Sequence, residues 1–154
     1  MRDDQLKAIT LWQPWASAMA YQLKRNETRS YPTKHRGPLL IHAAAHKPNR
    51  YDWDILTWAP IAKALAEKGI TDTKHFPLGV AVCVVNVVDC VPVEKIRDSL
   101  SPVERALGNY ENGRFAWVTE FLYFIEKPIP MKGSQGFWFC DAGYFCDEEG
   151  SLLW

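Results

Sequence analysis

The chain has 154 residues and a mass of 17.6 kDa, with 47% hydrophobic and 23% charged residues, a balance that excludes disordered, collagen-like and fibrous classes. One domain is expected, because a chain of this length buries about 70% of its unfolded surface and needs no disulfide or structural metal to hold a core. Its formal charge is zero, yet residues 1–50 carry nine Lys/Arg against three acids and residues 51–154 nine against fifteen, a split that predicts a local phosphate-attracting surface rather than a grip on long polyanions.

No long apolar run follows the first residues, so no secretory signal is expected and the chain reads as cytoplasmic. Residues 8–12 read as a strand, and Pro14 opens a short helix over residues 15–22. Residues 27–31 are extended, and Gly37-Pro38 introduces the buried strand 39–43. Asn49 caps a helical region with Trp53, Ile55, Leu56, Ile61, Leu65 and Ala66 as its apolar stripe, bent or divided at Pro60 and ended at Gly69. The valine-rich run 79–91 is too continuous to face water and reads as the central strand, stopped by Pro92. The apolar stretch 78–93 is too short for a membrane span and contains Asn86 and Asp89. A helix is expected over residues 94–107, restarted at Ser101-Pro102 and stopped at Gly108. Beyond a turn at Asn112-Gly113, residues 115–125 and 135–140 read as strands. The order β-α-β-β-α-β-α-β-β predicts an α+β fold on a curved or barrel-like mixed sheet.

Three segments carry residues suited to chemistry. Between Gln22 and Arg50 there are seven Lys/Arg and three His, and Glu27 is the only carboxylate. Lys24 and Arg29 near Glu27 would favour its ionised form and make a constellation able to bind a polar ligand or relay a proton, the plainer alternative being a solvated ion pair. Trp12, Gln13 and Trp15 set two indoles and an amide around a strand-to-helix turn. Indoles stack on bases and an amide reads a base edge, while core packing is the competing use of the same rings. Lys132-Gly133-Ser134-Gln135-Gly136 offers a loop open to close backbone approach, with the Ser134 hydroxyl, or an ordinary turn. His42 and His46 have a zinc-pair spacing without the glutamate of a metalloprotease motif, and Cys83, Cys90, Cys140 and Cys146 form no C-x-x-C pair. No metal or cofactor is therefore expected.

The segments Leu11-Trp12-Gln13-Pro14-Trp15-Ala16, Lys24-x-x-Glu27-x-Arg29 and Arg36-Gly37-Pro38-Leu39-Leu40-Ile41-His42-Ala43 resemble the N-terminal signature of ASCH (activating signal cointegrator-1 homology) domains, of the PUA-like superfamily. Pro77-Leu78-Gly79, Arg114-Phe115-Ala116-Trp117-Val118 and Gly133-Ser134-Gln135-Gly136-Phe137-Trp138 extend the likeness over nearly the whole chain. The resemblance implies a single PUA-like domain over residues 1–154, with 141–154 as a C-terminal extension. It also implies a barrel-like sheet flanked by two or three helices, and a cleft for RNA or nucleotides beside Lys24, Glu27 and Arg29. Two departures stand out: Gln22 occupies a position that is often glycine in the family, and Glu27 replaces the threonine proposed as nucleophile in members that deacetylate N4-acetylcytidine. Thr28, one residue on, should face away from an extended segment.

The leading functional expectation is hydrolysis of a small modified nucleoside or nucleotide, an N4-acylcytidine-type amide, with Lys24 and Glu27 as the catalytic acid/base pair. Trp12, Gln13, Trp15, Arg29, His42, Arg114, Trp117 and Ser134 would bind the substrate. Two alternatives are a non-catalytic RNA-binding module and a single-strand ribonuclease that uses Lys24 with a hydroxyl such as Ser134.

Overall fold

The computed structural model describes residues 4–48 and 56–154. β1 (Gln5–Leu11) leads into α1 (Trp15–Ala20), then β2 (Asn26–Arg29), β3 (Gly37–Ala43), α2 (Ala59–Ala66), β4 (Val80–Pro92), α3 (Pro102–Ala106), β5 (Phe115–Pro130) and β6 (Trp138–Asp141). The strands form one mixed sheet in the order β2-β5-β4-β3-β1-β6. β1 and β3 run parallel and every other neighbouring pair is antiparallel.

Period-two alternation divides the apolar residues between the two faces of this sheet. Ile9, Leu11, Leu39, Ile41, Cys83 and Val85 pack with Ala16 and Met19 of α1 on one face. Leu6, Ala8, Leu40, Val84 and Ile125 pack with Cys140 and Phe145 on the other. The valine run of β4 feeds both clusters, as its unbroken hydrophobicity predicts. Trp154 covers the second face, its ring 5.8 Å from Phe145 and 5.9 Å from Tyr123. Among the described residues no helix is long and apolar enough to cross a membrane.

Curvature is what positions the site. The β4–β5 ladder shifts register between Ala81 and Cys83, between Val84 and Val85 and between Val87 and Asp89, and such irregularities bend and twist a sheet. β2 lies at one edge and β1 next to the other, yet residues of both line one pocket. The sheet therefore wraps around, without closing into a barrel.

Several boundaries differ from the sequence expectation. The helix expected over 94–107 is two 3-10 turns, Val93–Lys95 and Arg97–Ser99, followed by the short α3. Leu100 and Ser101 are extended, with ψ of 148° and 156°; Ser101 precedes Pro102, and a residue before proline is driven out of the helical region. The strand expected over 135–140 is confined to Trp138–Asp141, since Gly136 turns the chain at φ 66°. α1 ends at Ala20, short of Gln22, which is itself left-handed at φ 60°. β5 continues to Pro130, past the expected end at Ile125. In the second helical region Asn49, Trp53 and Ile55 lie outside the described residues. Trp58 is extended, Pro60 sits in the first turn of α2, and Ile61 and Leu65 are buried while Ala66 is exposed.

Candidate functional site

Two hydrogen bonds at the end of α1 set the first wall. The amides of Leu23 and Lys24 both donate to Ala18 O, at 2.9 and 3.1 Å, so the chain doubles back and carries the Lys24 side chain inward. Lys24 is only 2% exposed, and its Nζ donates to Leu107 O at 2.8 Å in the segment after α3. Glu27 Oε1 lies 3.8 Å from the same nitrogen. Burial holds the Lys24 ammonium below the ordinary lysine value, an effect that the charges of Glu27 and Glu104 partly offset.

Glu27 is also gripped from its other side. Arg29 Nε and Nη2 donate to Glu27 Oε2 at 3.3 and 3.2 Å, and Arg29 Nη1 donates to the Tyr31 hydroxyl. The guanidinium lies over the ring of Trp117, 5.7 Å from its centroid. Arg114 braces the floor, with Nε donating to Asn109 O and Nη2 to Thr28 O. Lys24, Glu27, Arg29 and Arg114, together with Trp12 and Trp15, line a cavity of about 440 Å³. A second cavity, of about 650 Å³, shares Thr10, Trp12 and Arg29 with the first and is bounded by His42 and the 131–136 loop.

Most of the residues singled out from sequence converge here. Trp12, Trp15, Lys24, Glu27, Arg29 and Arg114 line the first cavity, and His42 and Ser134 the second. Trp12 is 51% exposed although the His46 ring stacks on it at 4.0 Å. Lys24 and Ser134, paired in the strand-cleaving alternative, line different cavities.

Gln13 and Trp117 lie beneath the site, not in it. Gln13 is fully buried, its Nε2 donating to Pro77 O and its Oε1 accepting from Ser17 N. The amide that looked suited to a base edge ties the turn to the body of the fold. Trp117 is 1% exposed; its Nε1 donates to Tyr31 O and its ring stacks on Phe137. It supports Arg29 from below.

His42 is likewise consumed internally. Met131 O can only accept, so His42 Nε2 donates to it at 2.7 Å, and Nδ1 is left to accept from the Thr10 hydroxyl at 3.2 Å. Trp138 Nε1 donates to that same hydroxyl. Gly133 packs so closely here that a Cβ would collide with Thr10 Oγ1 and with His42.

Two findings went unseen in the sequence. Thr28, expected to face away, borders the first cavity because the loop after α3 folds over β2, where Asn109 N donates to Thr28 Oγ1. Glu104 supplies the second acid that the neighbourhood of Lys24 seemed to lack. Its Oε1 accepts from Arg25 N at 2.7 Å, and its Oε2 is buried without a hydrogen-bond partner among the described residues. The available signal was Ser101-Pro102-Val103-Glu104, whose Ser101 hydroxyl caps Glu104 N. In a capping box the glutamate turns back to the cap, whereas here it reaches across to the chain after α1.

Comparison with known proteins places this geometry. Activating signal cointegrator 1 of Homo sapiens is 25% identical over 134 residues, which cover 87% of this chain and 22% of that protein. Its Mus musculus counterpart is 24% identical over the same share of each chain. The chain thus spans about a fifth of the length of these relatives. The ASCH domain model matches residues 9–129, a span that includes Trp12, Lys24, Glu27, Arg29 and Arg114, and the chain accordingly belongs to the ASCH domain family, a family associated with RNA binding.

Proposed function

We propose that the protein binds a nucleotide or an unpaired stretch of RNA in the first cavity. The observation that carries this reading is the convergence of an exposed indole, Trp12, with three cations, Lys24, Arg29 and Arg114, around one carboxylate, Glu27. An aromatic face stacks on any base, for about 1–3 kcal/mol per base. The cations outnumber Glu27 and favour phosphate. Glu27 Oε1, the oxygen that Arg29 leaves free, is an acceptor for a base-edge amino group. Fluorescence titration with the four nucleoside monophosphates and a short single-stranded RNA tests the reading. Saturable quenching, weakened at least about tenfold (~1.4 kcal/mol) by Trp12→Ala, is the expected result. Binding unaffected by that change would refute it.

A second reading gives the same groups a reaction. It rests on Lys24, whose burial lowers its proton affinity beside an acceptor 3.8 Å away. On an N4-acylcytidine, Glu27 would take a proton from water as its oxygen bonds to the acyl carbon. Lys24 would give a proton to the departing cytosine nitrogen as the C–N bond breaks, leaving a carboxylic acid and cytidine. Incubation with acylated nucleosides and single-stranded RNA, followed by chromatography, separates hydrolysis, strand cleavage and silent binding. Glu27→Gln and Lys24→Ala should each abolish turnover. An active protein that keeps its rate within about threefold, ~0.7 kcal/mol, after either change would exclude the pair.

A further inference from the structure

The 131–136 loop walls a second cavity that the binding reading does not use. It is no isolated dent, because Thr10, Trp12 and Arg29 belong to its lining and to that of the first. At about 440 and 650 Å³, each falls within the range of roughly 300–1,000 Å³ typical of small-ligand sites. Each is large enough to admit one nucleotide, and a ligand seated in one leaves the other open.

The shared wall has the chemistry to hold what would join two nucleotides. A guanidinium has five N–H donors, and Arg29 uses its Nε donor and one on each terminal nitrogen for Glu27 and Tyr31. Among the described residues one donor on each terminal nitrogen remains, a pair suited to two phosphate oxygens. The guanidinium cannot swing away to meet the anion elsewhere, since Glu27 and the Trp117 ring fix it at the wall. The second cavity is itself polar, with Ser134 and Gln135 beside Lys132 and the Tyr31 ring. The Thr10–His42–Met131 hydrogen bonds hold the loop against the sheet, so this wall is built before a ligand arrives.

We propose that the two cavities take two successive nucleotides of a single strand, one on each side of the Thr10–Trp12–Arg29 wall, with the linking phosphate on Arg29. This rests on the nucleotide-binding reading of the first cavity and adds a step length of two.

The test compares ligands that differ only in length. Uridine 5′-monophosphate, cytidine 5′-monophosphate and their adenine and guanine counterparts are titrated calorimetrically beside the dinucleotides pUpU, pCpC, pApA and pGpG, then the trinucleotides of the best base. At least one dinucleotide should bind about tenfold or more tightly than its mononucleotide, and a third nucleotide should add less than about threefold. Gln135→Trp, at an exposed position of the loop, narrows the second cavity and should bring the dinucleotide toward the mononucleotide value. Equal affinity for mono- and dinucleotide would overturn the two-cavity inference while leaving the binding reading intact. An undiminished dinucleotide advantage in Gln135→Trp would also overturn it. Failure of every ligand to bind would overturn both.

Discussion

Glu27→Gln separates the electrostatics of the site from its shape. The substitution keeps the size of the side chain and one acceptor oxygen while removing the charge that faces Lys24 at 3.8 Å and Arg29 at 3.2 Å. With an effective dielectric of about 20, the first attraction alone is worth about 4 kcal/mol. Arg29 is partly exposed, and its pair adds at most about 1 kcal/mol. Glutamine no longer bears the cost of burying a carboxylate, which returns part of this. A net loss of about 2–4 kcal/mol follows, or a Tm lower by roughly 4–16 °C for a chain of this size. The loss must also depend on pH. Without Glu27 the buried Lys24 releases its proton at a lower pH than in the wild type, while Lys24 titrates alike in the two unfolded chains. With Glu27 ionised, the deficit is therefore complete below both folded-state values of Lys24 and shrinks as pH rises through the range between them. Urea unfolding followed by tryptophan fluorescence at pH 6, 7.5 and 9.5 measures it. A loss below about 0.5 kcal/mol at every pH, or one that grows as pH rises, would refute the argument.

Gln22→Gly should stabilise the protein by up to about 1 kcal/mol, because Gln22 holds φ 60° in an exposed turn where glycine avoids the left-handed penalty; an unchanged or lower urea midpoint would count against this. Gly133→Ala should cost about 1–3 kcal/mol, since the new Cβ would lie 2.6 Å from His42 Nδ1, and the same urea titration reads it. Burial holds both His35 and His42 below the ordinary histidine value. The unfolded chain consequently takes up more protons below about pH 6.5, and stability must fall as pH drops through that region. His42→Gln should flatten part of that fall, and a fall of the same size in the variant would contradict the assignment.

What the sequence disclosed and what it hid divide along physical lines. β4 and β3 were legible because a continuous valine run and Leu39-Leu40-Ile41 permit few other fates. The group Lys24, Glu27 and Arg29 was legible because a lone acid among cations is conspicuous and spacing alone brings it together. Gln13 and Trp117 were assigned to the cleft because residue type suggests what a side chain can do, while burial decides whether it faces a ligand. Glu104 is 77 residues from Glu27 in the chain, and only the wrapping of the loop after α3 over β2 makes them neighbours of one lysine. The left-handed turn at Gln22 follows the same logic in reverse: a position suited to glycine accepts glutamine because the Ala18 carbonyl fixes the backbone there twice.

The central claim is that the first cavity receives a nucleotide, and chemical-shift mapping tests it most directly. In a ¹⁵N-labelled protein titrated with short single-stranded RNA, the Trp12 indole N–H, the Arg29 Nε–H and the amides of Gly108 and Asn109 should shift together and saturate together. The buried indole of Trp117 should follow weakly through Arg29. Shifts confined to α2 and its surroundings, or none at ligand concentrations that saturate fluorescence quenching, would contradict it.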